Sequence, residues 1–152
     1  MTTIKAKKEP GIISGPNGCY YTKQNVSLHE YTLHAFVYDL QLATVKVPKI
    51  ISYDKEKRTM TMEKVGQMSV ADFYGEEEKH ISEQLFNRVR MIIKTLYQHD
   101  ITYPDITGYN FIESEDDLFI IDFEHATYKA KKKDAFVQKF IKGLNAWNPE
   151  FK

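Results

Sequence analysis

The stretch that most constrains this chain is Tyr103-Pro-Asp-Ile-Thr-Gly-Tyr-Asn110, with Ile120-Ile-Asp-Phe-Glu124 a short distance downstream. Asp105 stands five residues before Asn110, and Asn110 leads directly into the apolar pair Phe111-Ile112. Polar turn residues, Glu113 to Asp117, separate that pair from a second apolar run, Leu118 to Ile121. Two apolar runs joined by such a turn form a hairpin, and a hairpin brings its two ends side by side. Asn110 and Asp122 therefore emerge together, with Asp105 on the loop just before them. A carboxylate, an amide oxygen and a second carboxylate then converge on one place.

Hard cations such as magnesium take oxygen ligands, commonly one or two protein groups plus phosphate oxygens. Asn110 and Asp122 suit that task. Asp105, slightly apart, is placed to orient or accept the proton of an attacking hydroxyl. The plainer reading of Asp105 and Asn110 alone is an Asx turn closing a loop. The added hairpin and the strand ending in Asp122-Phe123 favour the chemical reading.

These residues resemble the protein-kinase-like superfamily, whose catalytic loop reads Asp, four residues, Asn, and whose later strand ends in Asp-Phe-Gly. The likeness is greatest to its small atypical branches: the minimal RIO-type Ser/Thr protein kinases and the aminoglycoside and choline phosphotransferases. It runs from about Gly11 to Glu124. The resemblance implies an α+β, two-lobed fold with a reduced β-rich N-lobe and a truncated helical C-lobe. It implies one domain over residues 1–152, with a loose arm at 1–10, the N-lobe at 11–65 and the C-lobe at 66–152. ATP and magnesium are the implied cofactors, and a protein hydroxyl or a small alcohol the implied acceptor.

The same resemblance assigns further residues. Lys23, at the end of a strand pair around the turn Gly15-Pro-Asn-Gly18, becomes the lysine on the nucleotide phosphates. Glu30, near the start of a helix from Ser27 to about Leu42, becomes its acidic partner. Ser27-x-x-Glu30 is equally a capping box, with Glu30 bonding back to the helix start. Met62-Glu-Lys-Val-Gly66 becomes the hinge, where the backbone of Glu63 and Val65 would hold adenine; an ordinary strand end at Gly66 is the rival. His29 and His34 flank Glu30, but their spacing turns one away from the other by roughly 140° on a helix, so no zinc site is expected.

The remaining elements follow from periodicity. Leu33, Phe36, Val37 and Leu40 share a face of the first helix. Lys49 to Tyr53 and Thr59 to Lys64 form a hairpin with Met60 and Met62 facing inward. Ser69 caps a short helix reaching Tyr74. Leu85, Val89, Ile92, Ile93 and Leu96 stripe a helix from about Ile81 to His99, with Glu76, Glu77 and Glu78 at its start favouring the dipole. A last helix runs from Asp134 to about Leu144, striped by Phe136, Val137, Phe140, Ile141 and Leu144.

Four departures from the family pattern stand out, the first being that Gly11, Gly15 and Gly18 do not keep the Gly-x-Gly-x-x-Gly spacing of the phosphate-covering loop. Tyr103 occupies the place of the usual histidine before the catalytic aspartate, and its hydroxyl is a candidate substitute. Glu124 replaces the glycine after Asp122-Phe123, removing backbone freedom there and offering a third oxygen near the metal. After Glu124 little chain remains for an activation segment or peptide-docking helices. These features support an alternative: a catalytically impaired pseudokinase that binds nucleotide or a partner. Self-association or a protein partner would then cover exposed apolar surface.

Composition narrows the classes. Lys plus Arg equals Asp plus Glu at 21 each, so bulk charge does not point to nucleic acid. A single cysteine, Cys19, excludes an intramolecular disulfide and fits a reducing compartment. No apolar run reaches membrane-spanning length, and the N-terminus lacks a signal-peptide core. The expected location is cytoplasmic. Abundant Lys, Ile and Tyr fit an AT-rich genome such as that of a large DNA virus, which would make it the host cytoplasm.

Overall fold

Two antiparallel hairpins merge into one sheet. The computed structural model describes the backbone of residues 12–15 and 18–151 and the side chains of residues 19–151. The expected arm at 1–10, Gly11 and the turn residues Pro16 and Asn17 lie outside the described residues. Strands β1 (Ile12–Gly15), β2 (Gly18–Lys23), β3 (Ile50–Asp54) and β4 (Thr59–Glu63) assemble in the order β1-β2-β4-β3. Met60 and Met62 are buried, while Thr59, Thr61 and Glu63 between them are half-exposed. Tyr21 and Lys23 face the same way along β2, because side chains alternate with a period of two. Both are buried, so the strand that packs Tyr21 also delivers an ammonium group to the interior.

Helix α1 (Leu28–Leu40) follows β2. Ser27 caps it, its Oγ accepting from the Glu30 N–H at 3.0 Å. The inward stripe is Glu30, Leu33, His34 and Val37, which is the i, i+3, i+4, i+7 pattern with a carboxylate in its first place. Of the residues expected on that face, Leu40 is only half-buried and Phe36 is turned outward. Phe36 is exposed and meets Tyr128 edge-on, with ring centres 5.5 Å apart. The helix ends at Leu40, where Gln41 turns left-handed at φ 50°.

The second half of the chain is mainly helical. It comprises α2 (Val70–Tyr74), α3 (Glu83–Gln98), β5 (Ile101–Thr102), the hairpin β6 (Phe111–Ser114) and β7 (Asp117–Ile120), β8 (Thr127–Tyr128) and α4 (Ala135–Ile141). Strand β5 pairs with β8, and β6 with β7. All five expected stripe residues of α3 are buried, together with Phe86. Trp147 packs on Phe86 and Phe111 with ring centres 4.8 and 6.4 Å away.

Two expectations fail here for local reasons. Helix α3 starts two residues later than expected, capped by Ser82, so the acid in its first turn is Glu83 rather than the run Glu76 to Glu78. Glu78 sits in a separate 3-10 turn and accepts from the Trp147 backbone N–H at 3.1 Å. The last helix stops at Ile141; Gly143 has φ 126°, and Leu144 is exposed. The fold class agrees with expectation: an α+β chain with a β-rich first half and a helical second half.

Candidate active site

The end of β2 and the first turn of α1 hold the first pair of groups. Lys23 Nζ donates to Glu30 Oε2 at 2.6 Å, with both side chains buried. The two sequence readings of Ser27-x-x-Glu30 therefore separate. Ser27 caps the helix, while the Glu30 carboxylate turns to Lys23. Lys23 Nζ also lies 3.6 Å from Asp122 Oδ1. Burial alone would lower the Lys23 pKa, but the charges of Asp122 and Glu30 outweigh it and hold the group above its ordinary value. Lys23 is thus a buried, permanent cation. Buried ion pairs contribute little net stability, because desolvation consumes the Coulombic gain. This pair is better understood as fixing geometry.

The loop before β6 and the end of β7 hold the second set. Three bonds tie them together. Tyr103 Oη donates to the Ile121 carbonyl at 2.6 Å, the Ile121 N–H donates to the Asn110 carbonyl at 3.0 Å, and Asn110 Nδ2 donates to the Asp105 carbonyl at 2.9 Å. The hairpin thus places Asn110 beside Asp122, as its geometry requires. The Tyr103 hydroxyl stitches the loop to the strand end. Asp122 itself has φ 68°, a left-handed conformation that an aspartate tolerates better than most residues.

Two polar atoms of this set are left without a hydrogen bond. Asn110 Oδ1 and Asp122 Oδ1 are buried and lack a hydrogen-bond partner. Buried oxygens in this state are uncommon and invite an explanation, a bound ion among them. Donation from Nδ2 to Asp105 fixes which way the Asn110 amide faces, so its oxygen is the free end. One carboxylate oxygen from each of Glu30, Asp122 and Glu124 lies within 4.8 Å of the others. Glu30 and Asp122 are buried and Glu124 is exposed. An oxygen-rich site of this kind fits a hard divalent cation. Asp105 is buried, and burial raises its pKa; the Asp122 charge adds to this, while Asn110 and His125 oppose it.

Other proposed residues stand apart from this cluster. Glu63 ends β4, its N–H donating to the Lys49 carbonyl at 2.9 Å. Val65 is half-buried against the cluster containing Tyr21, Met62 and Ile121. Both line a cavity with Val47, Pro48, Lys49 and Phe119. His29 and His34 go to different carbonyls, Ala126 at 2.6 Å and Pro48 at 2.7 Å. One neighbour of Asp105 was not anticipated. His125 Nδ1 lies 3.5 Å from Asp105 Oδ2, and only its position just after Glu124 could have drawn attention to it.

This arrangement can be set beside known proteins. Residues 23–144 match the RIO domain family. The chain belongs to that family. The match covers Lys23, Glu30, Asp105, Asn110 and Asp122, so the RIO domain contains every member of the two polar sets. Solved kinase structures share its fold. The Cydia pomonella granulovirus kinase PK-1 superposes with a TM-score of 0.56 at 15% identity, over 75% of this chain and 45% of that one. The Rad53 kinase domain gives 0.55 at 19% identity, over 76% and 45%. The yeast RNA polymerase II CTD kinase complex CTDK-1 gives 0.53 at 15% identity, over 76% and 41%. This RIO domain thus covers less than half the length of each kinase chain. Comparison with curated protein sequences gives no significant match. The fold is the two-lobed protein-kinase-like one, with a small β-rich N-lobe and a reduced helical C-lobe.

Proposed function

We propose that this RIO domain is an ATP- and magnesium-dependent phosphotransferase acting on Ser or Thr hydroxyls of a protein or on a small alcohol. The observation that carries the reading is the pair of buried oxygens on Asn110 and Asp122 that no hydrogen bond satisfies, the Asp122 one 3.6 Å from Lys23 Nζ, flanked by the Lys23–Glu30 pair and by Asp105. Asn110 and Asp122 would hold magnesium, which when bound neutralises phosphate charge and orients the transferring group. Lys23, oriented by Glu30, binds nucleotide phosphates. Asp105 orients the acceptor hydroxyl and takes its proton. Its raised pKa keeps it a stronger base than an exposed carboxylate, with activity falling as pH drops through that value. In this reading residues 11–65 and 66–152 are the two lobes of one domain, and the backbone of Glu63 and Val65 receives adenine. No membrane-crossing helix is found among the described residues, and the lone Cys19 suits a reducing cytoplasm.

Transfer from γ-labelled ATP to a Ser/Thr-rich acceptor protein and to a panel of amino alcohols tests the proposal. The wild type labels one of these acceptors, and Asp105→Asn loses roughly 10²–10⁴-fold in rate while still binding nucleotide. Undiminished labelling by Asp105→Asn would remove Asp105 from the chemistry.

A second reading, a partner-binding module without turnover, draws on one observation. Phe73 is 66% exposed, with Tyr74 against it edge-on, ring centres 4.7 Å apart. Nucleotide binding without transfer, together with concentration-dependent self-association, would favour it.

A further inference from the structure

Asp105 is addressed by different residues at its two ends. Asn110 binds its main-chain carbonyl, while its carboxylate is approached by His125. Among the described residues, His125 is the one basic side chain in ion-pair range of Asp105. A carboxylate can only accept, so a hydrogen bond between the two would take its proton from Nδ1 of the imidazole. The separation of 3.5 Å is longer than a good hydrogen bond, and contacts at catalytic groups often tighten only when substrate arrives.

The position of His125 is held from several sides. Its ring packs against Phe151, with centroids 4.9 Å apart. The Phe151 N–H donates to the Asn148 carbonyl at 3.1 Å. Asn148 in turn grips the loop that carries Asp105: its N–H donates to the Ile106 carbonyl at 2.8 Å and its Nδ2 to the Pro104 carbonyl at 2.7 Å. On the other side His29 binds the Ala126 carbonyl, next to His125 in sequence. The result is a closed circuit from Asp105 through its loop, Asn148, Phe151 and His125 back to Asp105. The imidazole nevertheless remains 45% exposed, so it is fixed in place without being sealed from an incoming substrate.

We infer that His125 is a positioning residue for Asp105, donating from Nδ1 to Oδ2, and that Phe151 holds its ring in register. The inference deepens the phosphotransferase reading and rests on it for its catalytic meaning. The contact itself can be tested without turnover.

Side-chain 15N spectra of the nucleotide-free protein at about pH 8, where an ordinary imidazole is neutral, report the tautomer directly. His125 is expected as the Nδ1–H form in the wild type, reverting toward Nε2–H in Phe151→Ala and in Asp105→Ala. An Nε2–H form in the wild type would overturn the inference whether or not the protein transfers phosphate. Kinetics supply the second arm. Asn places a donor where Nδ1 stood, and Phe keeps the ring without one. His125→Asn is expected to keep kcat within about threefold and His125→Phe to lose roughly tenfold to a hundredfold, as supporting-residue losses do, with KM for ATP unchanged. Equal losses in the two variants would also overturn it. A wild type that binds no nucleotide and transfers nothing would refute the phosphotransferase reading, while the tautomer still decides the contact.

Discussion

Tyr103 illustrates how one substitution can keep a site assembled by other means. It stands where related catalytic loops usually carry histidine, yet it is fully buried and reaches across to the Ile121 carbonyl at 2.6 Å. Burial, followed by the charges of Asp105, Asp122 and Glu30, pushes its pKa well above the ordinary phenol value, so it remains a donor. Tyr103→Phe would leave a buried carbonyl unpaired, at a cost of about 1–3 kcal/mol. It would also loosen the residue before Asp122. The expected outcome is a lower unfolding midpoint in denaturant and weaker magnesium-dependent nucleotide binding by calorimetry. Unchanged nucleotide binding with lowered stability would confine Tyr103 to a structural role.

Among the elements, the passage from β4 to α2 turns on Gly66. Its φ is 63°, and an added Cβ would sit 2.6 Å from the Glu113 carbonyl oxygen. Gly66→Ala therefore combines left-handed strain with a backbone clash, and a loss of roughly 1–3 kcal/mol is expected. Denaturant unfolding measures it; a neutral effect would mean that the β4–α2 passage readjusts freely. The same scale shows what the sequence made legible. The α3 stripe was readable because all its inward places are apolar, so the 3.6-residue period appears undisturbed. The α1 stripe is obscured because two of its four inward places belong to Glu30 and His34, which their bonds to Lys23 and to the Pro48 carbonyl make tolerable there. Asp105, Asn110 and Asp122 could be grouped because a single local hairpin brings them together. His125, Asn148 and Phe151 could not. Their meeting depends on residues 148–151 returning to the Asp105 loop, and no spacing encodes that.

The whole molecule carries a built-in acid sensitivity. His34 lies between α1 and the chain entering β3, with Nε2 on the Pro48 carbonyl and Nδ1 unpartnered. Burial, aided by the Lys23 charge and opposed by the Pro48 bond, lowers its pKa from 6.5 to about 4. The unfolded chain therefore takes up a proton before the folded one. Stability from neutral His34 is complete above pH 6.5 and is lost as pH falls toward 4, by up to about 3 kcal/mol. Denaturant unfolding across that window should show a steeper loss for the wild type than for His34→Gln; parallel profiles would show that other groups govern it. This scaffold carries the proposed magnesium-nucleotide site. The most direct test is thermal stability with and without ATP and magnesium, for the wild type and Asp122→Ala. Ligand that binds only the folded state stabilises it by about 2.7 kcal/mol at a hundredfold excess over Kd. A magnesium-dependent rise in the wild type that disappears in Asp122→Ala is the predicted result; no rise at saturating ATP, or an equal rise in both proteins, would contradict it.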